Sequence, residues 1–294
     1  MNPLGVDNHL PTGEQTNQVA SRVGGIDTSM TSSNEIPREV RRLRNSLLSP
    51  KSTLRIANWN VRTLFQAGKL AQVTREFRDY GLNILGMSEC RWPNSGKFVG
   101  ASGETIYYSG RLDGRHESEV AIMVDKYSNS CLQEWKPISD RLILARFFSK
   151  FTKLTIVQAY APTNNAGEAE KEEFYEQLQD VLQRIPRHDM VMLIGDFNAK
   201  VGSDNARREA CMGRQGLGVM NENGQLFADL CMDSELLGGH FSGINQLTLI
   251  HGLLLMGLPL IRLIMWQLVG GGCLHCRMSE LFMVQTAVVI IILL

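Results

Sequence analysis

The sequence has no excess of either charge: 30 Lys and Arg stand against 30 Asp and Glu, a formal net charge of zero. A strongly basic chain, the simplest footprint of a nucleic-acid binder, is thereby excluded. A local basic patch beside a site is not. Cysteine is sparse as well. Cys90, Cys131, Cys211, Cys231, Cys273 and Cys276 follow no framework spacing, and no apolar signal stretch opens the chain. Both absences argue against a disulfide scaffold and predict reduced thiols in the nucleus or cytoplasm. Cys273 and Cys276 form one CxxC, but a structural zinc needs four ligands and no second pair lies nearby. Long apolar runs are missing too. Residues 247–261 and 284–294 are strongly apolar but fall short of the roughly 18 to 20 residues a span requires. No membrane role is expected.

What remains is ordinary for a globular protein, with 44% hydrophobic and 20% charged residues in 294. Residues 1–52 are rich in Asn, Ser, Thr, Gly and Pro and read as a disordered leader. Within it, Arg38, Arg41, Arg42 and Arg44 make a short basic run, read as a solvated tail. From Leu54 the texture changes. Residues 54–60 alternate as a strand does. Leu70, Val73 and Phe77 recur at helical spacing, and Gly81 follows as a stop signal. Strand-like runs then cover 83–87, 105–108, 119–124, 141–147 and 154–160. A helix is expected over about 166–185, ended by Pro186. Residues 190–194 form a fully apolar strand, and 224–231 look helical. Strands alternating with a few helices argue an α/β or α+β domain around a large buried sheet, with bounds near 53–237.

Polar residues stand at the ends of four expected strands: Asn60, Glu89, Tyr160, and the pair Asp196 and Asn198. Ligands gather at strand ends because a rigid sheet fixes their geometry. Each residue alone has a bland reading, as a surface carboxylate, an Asx turn or a core phenol. Together they are hard oxygen donors with no His or Cys among them. Such donors suit Mg²⁺ or Mn²⁺ rather than zinc. A cation of that kind, held by one or two carboxylates, marks a phosphoryl-transfer site.

The blocks Asn58-Trp59-Asn60-Val61-Arg62, Ser88-Glu89, Tyr160-Ala161-Pro162-Thr163 and Gly195-Asp196-Phe197-Asn198-Ala199 occur in that order. They resemble the successive signatures of the endonuclease/exonuclease/phosphatase superfamily. Within it the chain is most similar to endonuclease domains of non-LTR retrotransposons and to the craniofacial development protein 2 group. Trp59-Asn60-Val61-Arg62-Thr63-Leu64, Ser88-Glu89-Cys90-Arg91-Trp92, Asp196-Phe197-Asn198-Ala199-Lys200-Val201-Gly202 and Asn221-Glu222-Asn223-Gly224 carry that finer likeness. The resemblance runs from about Leu54 to Leu237. It implies a four-layer α/β sandwich, two central sheets flanked by helices. It also implies roles: Glu89 and Asn60 at the metal, and Asp196 orienting or activating the attacking water. Asn198, Tyr160 and Arg62 would contact the phosphate of a DNA substrate. No obligate protein partner is legible.

The family pattern continues past Gly-Asp-x-Asn, through an Ile-Asp motif to Ser-Asp-His. Neither is present in this chain. After Leu237 only Arg262, Arg277 and Glu280 carry charge, and no aspartate occurs. Residues 238–294 read as an aberrant apolar tail. Reading codons from each residue's third base, residues 260–267 permit Asn-Gln-Ile-Asp-His-Val-Ala, with Val-Ala forced by Met265 and Trp266. In the same frame, residues 283–293 permit Ala-Asp-Cys-Gly-Ser-Asp-His-His-Leu. Residues 251–257 fit the family's Thr-Trp-x-Ser-Pro-Asp-Gly stretch, and 238–245 permit Gly-Thr-Leu-Phe-Arg-His-Lys. Four matches in one frame and in family order point to a frameshift near Leu237 or Gly238. The domain is thus expected to be incomplete at its C-terminus. The expected function is a Mg²⁺-dependent DNA endonuclease of retrotransposon ancestry, impaired in this chain. Two alternatives stand beside it: a non-catalytic nucleic-acid-binding or pseudogene-like product, and a superfamily phosphatase.

Overall fold

The computed structural model describes residues 46–48, 54–113, 118–150, 152–202, 204, 206–208, 219–234, 236–239, 261–263 and 288–292. The elements in chain order begin β1 (Leu54–Asn60), α1 (Lys69–Asp79), β2 (Ile84–Ser88), β3 (Ser95–Val99), β4 (Thr105–Ser109) and β5 (Val120–Val124). Then come α2 (Lys126–Ser130), β6 (Leu132–Ser139), β7 (Leu142–Phe147), β8 (Leu154–Tyr160), α3 (Glu168–Gln183) and β9 (Met190–Asp196). The last are α4 (Glu222–Asp233), β10 (Leu237–Gly239), β11 (Ile261–Leu263) and β12 (Val288–Ile292). Among the described residues, twelve strands form two six-stranded mixed sheets, ordered β11-β1-β2-β5-β4-β3 and β10-β12-β9-β8-β7-β6.

Period-two alternation builds the layers. Leu54 and Ile56 of β1 enter the core between the sheets, while Ala57 packs outward with Val73 and Phe77 of α1. In the second sheet, Met190, Met192 and Ile194 face inward, while Val191 and Leu193 meet Phe174 and Leu178 of α3. The result is helix, sheet, sheet, helix: the α/β sandwich that the resemblance implied. Both helices are crossovers between parallel neighbours, α1 joining β1 to β2 and α3 joining β8 to β9. A parallel pair needs such a crossover, and the crossover covers one face of the sheet.

Several expected elements end within a residue or two of the observed ones. Others went unseen. β3 has little apolar content and an exposed outer face. β6 contains Pro137 and shifts register there, which an edge strand tolerates because one row of its donors needs no partner. α2 is a single turn and a half, started by Asp125, whose carboxylate accepts from Ser128 N–H at 2.6 Å.

Two findings bear on the boundaries. Leu47 and Leu48 fall in the stretch read as a leader, yet they are buried in the core between the sheets. Leu47 N–H donates to the Phe148 carbonyl, and Tyr127 Oη donates to the Ser46 carbonyl. Two adjacent leucines lack visible period, so sequence alone assigned them to the polar stretch around them. The tail, read as aperiodic, contributes β11 beside β1 and β12 between β9 and β10. A continuous run of β-branched residues such as Val288–Ile292 suits a strand with neighbours on both sides. The CxxC of Cys273 and Cys276 and the basic run of residues 38–44 lie outside the described residues.

Candidate active site

Each sheet contributes one parallel pair whose C-terminal ends meet at the same end of the sandwich. In β1–β2, Asn60 is level with Ser88; in β8–β9, Tyr160 is level with Asp196. Parallel strands bring their carboxyl ends together, so residues distant in sequence converge. Asn60 Nδ2 donates to Glu89 Oε1 at 2.7 Å and to Asp196 Oδ2 at 3.0 Å. One carboxamide thus bridges two carboxylates, one on each sheet. Tyr160 Oη donates to Glu89 Oε1 at 2.9 Å.

Asn198 joins through its backbone, N–H to Asp196 Oδ1 at 3.1 Å, while its Nδ2 holds the Ala161 carbonyl. Arg62 also joins through its backbone, donating N–H to Asn60 Oδ1 at 3.1 Å, and its side chain is exposed. All six residues singled out from the sequence therefore meet in one place. The loops carrying them are strained. Arg62, Glu89, Arg91 and Asn198 have φ of 54°, 59°, 60° and 50°, left-handed values that cost non-glycine residues about 1–3 kcal/mol each. Such outliers persist only where their surroundings over-determine them, and they cluster at functional sites.

α4 braces this end of the molecule. Its cap residue Asn221 accepts from Gly224 N–H and Lys200 N–H and donates to the Asn198 carbonyl. Asn223 donates to the Pro162 carbonyl. The Asn-Glu-Asn-Gly block thus holds the loops that leave β8 and β9.

Two arginines escaped the sequence reading. Arg141 lies with its guanidinium 5.5 Å from the centre of the Tyr160 ring and donates to the Tyr160 carbonyl at 3.3 Å. Nothing in the local sequence marks it, because the contact runs from the β6–β7 turn to the end of β8. Arg91 Nη2 is 3.9 Å from Glu89 Oε2. It stood inside a quoted motif but was assigned no role.

Burial and the Glu89 charge push the Tyr160 phenol far above its ordinary range. It remains a proton donor at any physiological pH. Burial also raises the Asp196 carboxyl; Glu89 adds to the shift, and the bonds from Asn60 and Asn198 oppose it. The folded chain therefore holds this proton more tightly than the unfolded chain. The stability so gained is present below the ordinary aspartate range and is lost as pH rises through the raised value. Asp196→Asn should escape that loss. Scanned without metal, its Tm relative to the parent should climb as pH rises from the ordinary aspartate range through the raised value. A pH-independent gap would show that the carboxyl does not titrate abnormally.

The donor set fits a hard cation. Glu89 and Asp196 supply carboxylate oxygens from the two sheets, and Mg²⁺ typically takes only one or two carboxylates. Asn60 presents Nδ2 to both and Oδ1 to Arg62 N–H, so it would ligate a cation with its amide turned over. Among the described residues no group of three His, Cys, Asp or Glu converges. The site the described residues form is thus poor in charge. Cys90, the nearest thiol, is fully buried, and burial together with Glu119 and Glu89 raises it well above the usual thiol range. It is inert. No helix among the described residues is long and apolar enough to cross a membrane.

No protein-family model matches the chain. Among solved structures, the endonuclease domain of TRAS1, a telomere-specific non-LTR retrotransposon, aligns with 62% of this chain and 72% of its own. Its identity is 15% and its TM-score 0.40. The AP endonuclease LMAP from Leishmania major aligns with 61% of this chain and 66% of its own, at 12% identity and a TM-score of 0.44. Sequence relatives are nearer. Craniofacial development protein 2 of Bos taurus and that of Tragulus javanicus are each 38% identical over 182 residues, 62% of this chain. The chain spans about 30% of the length of these curated relatives. Over 182 residues, 62% of its length, the chain is thus similar in sequence to craniofacial development protein 2.

Proposed function

We propose that this chain is the greater part of a Mg²⁺-dependent phosphodiesterase domain of the DNA endonuclease class, impaired as it stands. One observation carries the reading: Asn60 bridges the Glu89 and Asp196 carboxylates across the two sheets, with the Tyr160 phenol on Glu89. The order of the sequence blocks supports the family assignment, and the trio supports the chemistry.

Glu89 and Asn60 would hold the cation. Mg²⁺ or Mn²⁺, when bound, supplies Lewis-acid neutralisation of charge developing on the phosphate oxygens. Asp196 lies across the site, its buried carboxylate facing Glu89 through the Asn60 amide. Its role is to orient the attacking water and take its proton. Tyr160 donates its O–H to a non-bridging phosphate oxygen, and Asn198 supports the same group. Arg62, exposed at the mouth, meets the phosphate backbone, and Arg91 beside Glu89 adds a second cation at the rim. The local charge thus substitutes for the missing net charge.

The deficiency is in the final segment. The family's later Asp and its Asp-His pair have no counterpart among the residues gathered here, and we attribute their absence to the frame change near Leu237. Backbone pairing makes a strand without regard to side chains, so β11 and β12 can fill sheet positions without supplying those groups. The chain should therefore show little or no nicking of supercoiled plasmid in Mg²⁺, yet retain weak Mn²⁺ binding that Glu89→Ala removes. Plasmid nicking above background, itself abolished by Glu89→Ala, would overturn the impairment. Mn²⁺ binding that survives Glu89→Ala, or that is absent from the parent, would overturn the metal assignment.

The phosphatase reading is weaker, because the likeness of the Trp59–Leu64 and Asp196–Gly202 stretches leans to the retrotransposon group. Comparing plasmid DNA with an inositol phosphate decides between them.

A further inference from the structure

The inward-facing residues of the four site strands form stacked layers. Uppermost are Asn60, Ser88, Tyr160 and Asp196; next below are Asn58, Gly86, Gln158 and Ile194. Beneath those lie Ile56, Ile84, Ile156 and Met192, all apolar and all in the core. The middle layer should be apolar on burial grounds, since Asn58 is 2% exposed and Gln158 0%. It is polar instead. Gln158 Nε2 crosses from one sheet to the other and donates to Ser88 Oγ at 3.0 Å, both residues fully buried. The Gln158 oxygen sits where a side chain on Gly86 would begin: a Cβ there would lie 1.9 Å from it. Gly86 is thus the notch that admits Gln158, and Asn58 is the neighbour of Gly86 on β1.

Three buried polar atoms in this layer, Asn58 Nδ2, Asn58 Oδ1 and Gln158 Oε1, have no hydrogen-bond partner. Buried polar atoms are rarely left unpaired, and bound water is their usual partner in a polar cleft. We propose that Asn58 and Gln158, joined by buried water, form a cross-sheet tie that sets the separation of the two half-sites. The water donates to Gln158 Oε1 and accepts from Asn58 Nδ2. The tie acts through Ser88, which precedes Glu89 and whose carbonyl accepts from Val61 N–H at 3.0 Å. One anchored residue thereby locates both Glu89 and the turn after Asn60. Asn58 and Gln158 are positioning residues: they touch no reacting atom. The inference rests on the proposed site at Glu89 and Asp196.

The test uses the full chain and Gln158→Met, an unbranched replacement without donors. In metal-free protein, the Asn60 side-chain amide is followed by NMR, since its two carboxylate bonds should slow its hydrogen exchange. The variant should speed that exchange by about tenfold or more, and Mn²⁺ affinity should fall by about 10- to 100-fold, the range for groups that orient metal ligands. Val157→Ala, facing α3 from the same strand, should lower Tm while leaving both readouts unchanged. Unaltered Asn60 exchange in Gln158→Met would overturn the tie. Should that variant not fold, slowly exchanging water next to the Asn58 and Gln158 amides of the parent decides instead, and its absence overturns the tie equally. A parent that binds no Mn²⁺ would refute the metal reading alone, because the Asn60 readout needs no metal.

Discussion

Decoding the segment after Leu237 in the alternate frame should raise plasmid nicking in Mg²⁺ by at least about a thousandfold over this chain. The size follows from how such sites work. Groups that act on one transition state act as a unit, and removing one or all of them costs several orders of magnitude. Among the described residues two carboxylates, Glu89 and Asp196, converge here, bridged by the Asn60 amide. The alternate frame permits an aspartate near residue 263 and an Asp-His pair near residue 290. Those stretches overlap β11 and β12, which pair with β1 and β9, the strands that carry Asn60 and Asp196. A restored segment entering the same positions would deliver its side chains to the right neighbourhood. Asp196→Ala in the restored chain should return the rate to background. A restored chain as inert as the present one, or an alternate frame closed by stop codons, would sink the frameshift account.

Gly195→Ala should damage both the stability and the metal affinity of the domain. A Cβ on Gly195 would lie 2.0 Å from the Ala159 carbonyl oxygen and 2.8 Å from its carbon. Both are backbone atoms of β8, so no side chain can swing aside. Relief requires β8 and β9 to part, the pair that aligns Tyr160 with Asp196. Overpacking of a tight interior costs about 1–3 kcal/mol and sometimes more, and this case belongs at the upper end. For a domain of this size that is a Tm loss of up to about 12 °C. Mn²⁺ affinity should fall as well, because the displaced strand ends carry Asp196. An alanine variant with the parent's Tm and metal affinity would show that the two strands are not locked at this level.

The glycine also shows where reading a sequence stops. Gly195-Asp196-Phe197-Asn198 was legible as a motif, but the reason for its first residue was not. It is set by the Ala159 carbonyl on a strand distant in the chain. The same holds for Gly86, whose missing side chain makes room for Gln158, and for Arg141, which reaches Tyr160 from the β6–β7 turn. β6 and β3 were invisible for a related reason. Edge strands have one unburied face or flank, so burial does not stamp a period on them.

Taken by itself, the sequence determined an α/β or α+β class, the main strands and helices, and the strand-end residues Asn60, Glu89, Tyr160, Asp196 and Asn198; the layered sandwich and Arg62 came from the resemblance its motifs carry. Local periodicity and strand-end chemistry are written in neighbouring residues, and a chain can be read for them directly. Only the tertiary structure decided that Asn60 bridges Glu89 and Asp196. It alone revealed that Leu47 and Leu48 belong to the core and that a polar tie lies beneath the site. Those facts depend on which strands become neighbours across two sheets, and packing between distant segments, not local pattern, sets that adjacency.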